Sequence, residues 1–211
     1  MQLHSHANAT ASHAHASVES VEIEEGLACS PVSLWQLADS AFPAGALAHS
    51  NGLEAAYQSG RVSGSEDLYK FIVELLHALA CNSLPALSAA RSAESLQKIL
   101  SVDSMFDALL ATNHVSKRAS LAQGRGFLNA SAAAFPHLNL KSLRKDVEAR
   151  GAFAGHLAPI FGLVCRRLGV TDLDARRLFL FMALRYYPVA VAAPLSNPSY
   201  VVFPAGGMTS T

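Results

Sequence analysis

Positive charge is missing from the first sixty residues, where neither Lys nor Arg occurs before Arg61. Glu19, Glu22, Glu24 and Glu25 cluster there instead. A secretory signal needs a basic start and an apolar core, and a transit peptide needs arginines and few acids, so neither is expected. Cysteine is scarce: Cys29, Cys81 and Cys165 are widely spaced and form no CxxC, which fits a reducing compartment rather than a disulfide framework. No unbroken apolar run approaches the roughly 20 residues that span a bilayer. Charge of either sign is low. Lys+Arg and Asp+Glu stand at 16 each, so no basic surplus points to nucleic acid or an anionic membrane. GxxxxGK[ST], GxSxG and HExxH are all absent, and the carboxylates are too scattered to suggest an acid/base pair. These absences leave a cytoplasmic protein that binds others as the expectation, and give no support to an enzyme.

What is present is apolar. Hydrophobic residues make up 51% of 211 positions, enough for one sizeable core. Only 15% are charged, so some apolar surface is expected to be covered by partner chains. Residues 1–29 read as a disordered tail rich in Ala, Ser and His, with too little apolar surface to offset ordering entropy. His4-x-His6 and His13-x-His15 are weak metal candidates, imidazole pairs of a type that takes Ni(II), Cu(II) or Zn(II). The bland alternative is a low-complexity leader.

Residues 30–185 carry helical periodicity. Ser30-Pro31 opens a helix whose apolar face is Leu34, Leu37, Ala38 and Ala41, and Pro43-Ala44-Gly45 ends it. A short helix follows from about Ser50 to Gln58. Leu68, Ile72, Leu75, Leu76 and Leu79 mark a third, Pro85 is expected near the start of a fourth, and Asp103–Thr112 gives another with Phe106, Leu109 and Leu110 inward. A long helix over 115–134 carries Ala119, Ala122, Gly126, Ala130 and Ala133 at three- or four-residue spacing, a face that lets a neighbour approach closely. Phe135-Pro136 stops it. Asn139 is expected to cap a helix through Arg150, and residues 151–155 to form a joint. His156–Leu168 then buries Ile160, Phe161, Val164 and Leu168, and ends at Gly169. Thr171 caps the last helix, whose Leu178–Leu184 stretch is apolar all round and expected to be fully buried. With no alternating strand, the fold class is an all-α, single-domain multi-helix bundle. Residues 186–211 are uncharged and Pro-rich, and are expected to be extended or disordered.

Little chemistry stands out. Gly124-Arg125-Gly126 is a GxG within a helix and carries no nucleotide meaning. His49 and Ser50 are adjacent and do not face each other on a helix. Arg118 and Arg125 share one face of the long helix, which is either a solvated surface or a face that touches the phosphates of a GTPase.

Three stretches resemble one family. The first holds Gln36, Asp39, Ser40, Pro43, Gly45, His49, Ser50, Gly52 and Glu54 in a QLxDSxxPxGxFxHSxGLE-type pattern. The second runs from Asn113 through Arg118, Ser120, Gln123 and Gly124, with Arg125 next, like "N…RxxSxxQG". The third, Gly155-His156-Leu157-Ala158-Pro159-Ile160-Phe161-Gly162, is similar to "GHxxPxFG". In order and spacing these resemble the UreF family of urease accessory proteins over about residues 31–185. The resemblance implies an all-α accessory protein without enzymatic activity, dimeric, in complex with the UreD/UreH accessory protein. It also implies recruitment of the GTPase UreG and docking on apo-urease for nickel delivery. Nickel would be handled by the complex, with no cofactor bound tightly by this chain. A GTPase-activating role toward UreG, or nickel binding by the His-rich tail, are the alternatives. The quoted residues become candidates for partner contact or framework. Ala46-Leu47 departs from the family's Gly-aromatic pair. After Arg185 the sequence leaves the family pattern, and weaker UreD/UreH binding is the expectation.

Overall fold

The structure is a computed structural model that describes residues 31–39, 42, 52–141, 145 and 153–184. Among these residues there are helices and no strand element, as the periodicity requires. They are α1 (Pro31–Ala38), α2 (Leu53–Gln58), α3 (Ser65–Ser92), α4 (Leu96–Leu109), α5 (His114–Ala134), a 3-10 turn at Pro136–Leu138, α6 (Leu157–Arg167) and α7 (Asp172–Leu184). Both chain ends, and the expected helix from Asn139 to Arg150 apart from a few positions, lie outside the described residues.

The core is built around α6. Eight consecutive residues, Ala158 through Cys165, are buried, so this helix is covered on all sides. α3 and α5 pack on it most extensively, with α4 and α7 completing the shell. Close approach to α3 depends on Gly162: a Cβ there would sit 2.2 Å from the Leu87 carbonyl oxygen. A line of rings crosses the core. Phe42 meets Phe127 at 5.9 Å, Phe127 meets Phe161 at 5.0 Å, and Phe161 meets Phe179 edge-on at 5.3 Å. At the lower end, Arg91 and Arg166 donate to the carbonyls of Val170 and Arg91. A smaller apolar cluster joins α2 to the first half of α3 through Leu53, Ala56, Val62 and Leu68.

Several boundaries differ from expectation, each for a local reason. No helix starts at Pro85; α3 continues through it. The carbonyl that loses its partner belongs to Cys81, whose exposure lets water replace the bond. α4 begins seven residues before Asp103, capped by the Ser95 hydroxyl accepting from the Lys98 amide. Within it Phe106 is buried, whereas Leu109 is 55% exposed and does not face inward. α7 is not enclosed all round, because Phe181 faces outward beside buried Leu178, Phe179 and Met182. Its expected cap is present: Thr171 Oγ1 accepts from the Asp174 amide at 3.1 Å. α3 is also long and apolar enough, by length and composition, to cross a membrane, although its sequence holds no unbroken apolar run. Here its second half packs on α6, while Tyr69 is exposed and Phe71, Ile72 and Leu75 are half-covered.

Candidate functional site

Polar chemistry concentrates where α4, α5 and the start of α6 meet. Asp103 occupies a core position on α4, on the face formed by Leu96, Ile99, Leu100 and Phe106, and is fully buried. An uncompensated carboxylate there would be very costly. It is compensated by the segment entering α6: Oδ2 accepts from the amides of Ala154 at 2.8 Å and Gly155 at 3.0 Å, and Oδ1 from that of His156 at 2.9 Å. Three successive N–H groups converge because Gly155 adopts φ +86°, a conformation open to glycine.

His156 follows, also fully buried, with its ring edge-on to Phe106 at 5.3 Å. Its Nδ1 lies 3.0 Å from Ser120 Oγ on α5, and its Nε2 lies 3.0 Å from Asp107 Oδ1 on α4. Ser120 Oγ also accepts the Leu157 amide at 3.3 Å. One assignment satisfies every group: Nε2–H donates to Asp107, and the Ser120 hydroxyl donates to Nδ1 while accepting from Leu157. At the rim, Lys117 reaches both Asp107 oxygens at 2.8 Å. The Lys117 bond, then the His156 bond, hold the Asp107 carboxyl below the usual carboxylate range.

α5 can lie this close because position 124 has no side chain. A Cβ on Gly124 would fall 2.1 Å from the Gly155 oxygen and 2.9 Å from the Leu157 nitrogen. The intimate contact is therefore made at Gly124, and not by the Ala119, Ala122, Gly126, Ala130 and Ala133 face, of which Ala122 and Ala133 are exposed. Pro159 sits buried in the first turn of α6, where its missing N–H has no intrahelical partner to lose.

Ser120, Gly124, Gly155, His156 and Pro159 thus come together, and Gly162 seats the same helix against α3. Asn113 is a framework residue, its Oδ1 accepting from the Ser116 amide at 3.0 Å as the cap of α5. Gln123 is half-buried, and Arg118 and Arg125 are exposed. The described residues of the first motif are not gathered here. Gln36 and Asp39 are exposed, Gly52 precedes α2 with φ +89°, and Glu54 accepts from Gln58 on the surface at 3.5 Å. Ser40, Pro43, Gly45, His49 and Ser50 lie outside the described residues, as do His4, His6, His13 and His15. No group of three or more His, Cys, Asp or Glu residues suited to a metal ion occurs among the described residues. Sequence reasoning missed Asp103, Asp107 and Lys117. The readable signal was an acid at a core position of an apolar stripe, which demands a donor from elsewhere.

A serine, a histidine and an aspartate in one hydrogen-bonded row resemble a nucleophilic triad on paper. Here, however, the row stitches three helices together, with its imidazole enclosed and its serine oxygen engaged on both sides. Fold and junction together define an all-helical protein whose buried polar groups interlock its elements. Comparison with known proteins makes the class specific. A family model described as UreF matches residues 62–190, beginning later than the resemblance over about residues 31–185 and ending slightly beyond it. Urease accessory protein F of Arabidopsis thaliana is 39% identical over 158 residues, 74% of this chain and 65% of the relative. The protein of the same name from Oryza sativa subsp. indica is 36% identical over 154 residues, 72% of this chain and 59% of the relative. Urease accessory protein UreF of Paenarthrobacter aurescens is 31% identical over 150 residues, 71% and 66% of the two chains. The chain belongs to the UreF family. It spans about three fifths of the length of the plant relatives it matches.

Proposed function

We propose that this chain acts in urease maturation as a non-catalytic scaffold in the cytoplasm, bridging the UreD/UreH accessory protein and the GTPase UreG while nickel is delivered to apo-urease. Nickel is cargo of the assembly in this reading, and the chain works as a homodimer within it. The observation that carries the proposal is the junction itself. The motif residues Ser120, Gly124, Gly155 and His156 hold α4, α5 and α6 in one arrangement, and the Ser120 hydroxyl and both His156 ring nitrogens are engaged within it. A rigid framework of that kind suits a protein that presents surfaces. The half-covered apolar face of α3 and the exposed Val32, Trp35 and Tyr69 supply apolar surface for partners.

The test is co-purification of the full chain with UreD/UreH and UreG expressed beside it. Retention of both in one complex is expected, and loss of either contradicts bridging. A second reading, regulation of GTP hydrolysis by UreG, is favoured by the outward placement of Arg118 and Arg125. It expects Arg118→Ala to change GTP turnover by UreG while the complex persists.

A further inference from the structure

The exposed lysines and arginines of α3, α4 and α7 are each matched by an acid one turn away. Lys70 pairs with Glu66, Lys98 with Glu94, Arg176 with Asp172 and Arg177 with Asp174. Such pairs neutralise the surface locally, at small energetic gain. α5 differs from these three helices. It contains no Asp or Glu, and the positions three and four residues either side of Arg118 and Arg125 carry no carboxylate. Its remaining cation, Lys117, is turned to Asp107. Among the described residues Arg118 and Arg125 make no ion pair, and both are exposed.

The two arginines lie on one outward stripe with exposed Val115 and Ala122. Seven positions of α-helix separate the two arginines by about 10 Å along the axis. The stripe cannot rotate away, because Ser120 is tied to His156 and Gly124 is seated on the Gly155–Leu157 backbone on the opposite side of the helix. Two guanidiniums on a fixed helix, interleaved with small apolar side chains, match a protein surface that offers carboxylates at similar spacing. Nucleic acid is disfavoured, since the chain as a whole carries no net charge.

We infer that the outward stripe of α5, centred on Arg118 and Arg125, is a docking surface for a carboxylate-bearing face of a partner protein in the maturation assembly. This inference rests on the scaffold reading and assigns it a surface. Fixing the helix beforehand lowers the ordering cost of association, and the paired charges give it register and salt dependence.

The test uses the full chain, its double variant Arg118→Glu/Arg125→Glu, and Lys70→Glu as a control at a paired cation. Affinities are measured at two salt concentrations against UreD/UreH, UreG, apo-urease and a 20-base-pair DNA duplex. Melting curves confirm that each variant folds. The expected result is a loss of about tenfold or more for one of the proteins with the double reversal, less at high salt, and no loss with Lys70→Glu. Equal affinities for the reversed and native chains overturn the inference while leaving the scaffold intact. Unchanged complexes with altered GTP turnover overturn it in favour of phosphate contact, and duplex binding that depends on the arginines overturns it in favour of nucleic acid. If the native chain binds none of the three proteins, the scaffold reading and this inference fall together.

Discussion

Asp103 organises the junction because one carboxylate closes a chain segment onto a neighbouring helix through three amides. Asp103→Asn keeps a single acceptor oxygen and turns an NH2 group toward those donors. We expect it to cost about 3 kcal/mol, measured by chemical denaturation. Gly124→Ala is expected to lose about 2 kcal/mol or more, since its methyl meets backbone on the facing segment; Gly64→Ala, with open space around it, should stay within about 1 kcal/mol. Similar losses at the two glycines would remove close packing as the reason for Gly124. Asp107 gives the junction a pH dependence. Its carboxyl is held below the usual range by Lys117 and His156, so its contribution is fully present above the unfolded value of about 3.9 and is lost as pH falls through the lower native value. Melting temperature should therefore decline more steeply below about pH 4 in the native chain than in Asp107→Asn. Identical slopes would contradict this.

At the scale of elements, α3 carries the clearest test of backbone logic. Its Pro85 removes one internal bond, and packing of Leu87 and Ala90 on the core holds the helix continuous across it. Pro85→Ala should raise stability by about 1–3 kcal/mol, less whatever proline contributes by stiffening the unfolded chain. A destabilised variant would mean that a proline-shaped bend is needed for α3 to follow α6. Much of the helical order could be read from the sequence because its punctuation is local. Thr171 before two aspartates, Gly169 after a run of apolar residues and Phe135-Pro136 each mark an end in the chain itself. The start of α4 could not be read the same way. Its inward face runs Leu96, Ile99, Leu100, Asp103, Phe106, and the acid in the middle breaks the apolar period that would have revealed it. The continuity of α3 was hidden for the opposite reason, since proline signals a break that tertiary packing overrides. His156, Ser120 and Gly124 were legible as motif residues, but their contact depends on pairing segments 31 or more positions apart, which spacing along the chain does not encode.

Across the whole molecule the polar interlock of Asp103 and His156 is buried, while apolar side chains such as Trp35 and Tyr69 are exposed. The family match covers residues 62–190, and the described residues of the first motif, Gln36, Asp39, Gly52 and Glu54, are exposed and take no part in the junction. In the proposed scaffold the serine–histidine–aspartate row holds helices together and performs no reaction. Urease activity restored in cells lacking their own UreF tests it most directly, comparing the native chain with Ser120→Ala at a temperature where both are folded. Removing the hydroxyl leaves the Leu157 amide and one imidazole nitrogen unmatched, a loss of about 1–3 kcal/mol that a lower temperature tolerates. Both chains are expected to restore urease. Restoration by the native chain and none by a folded Ser120→Ala would contradict this.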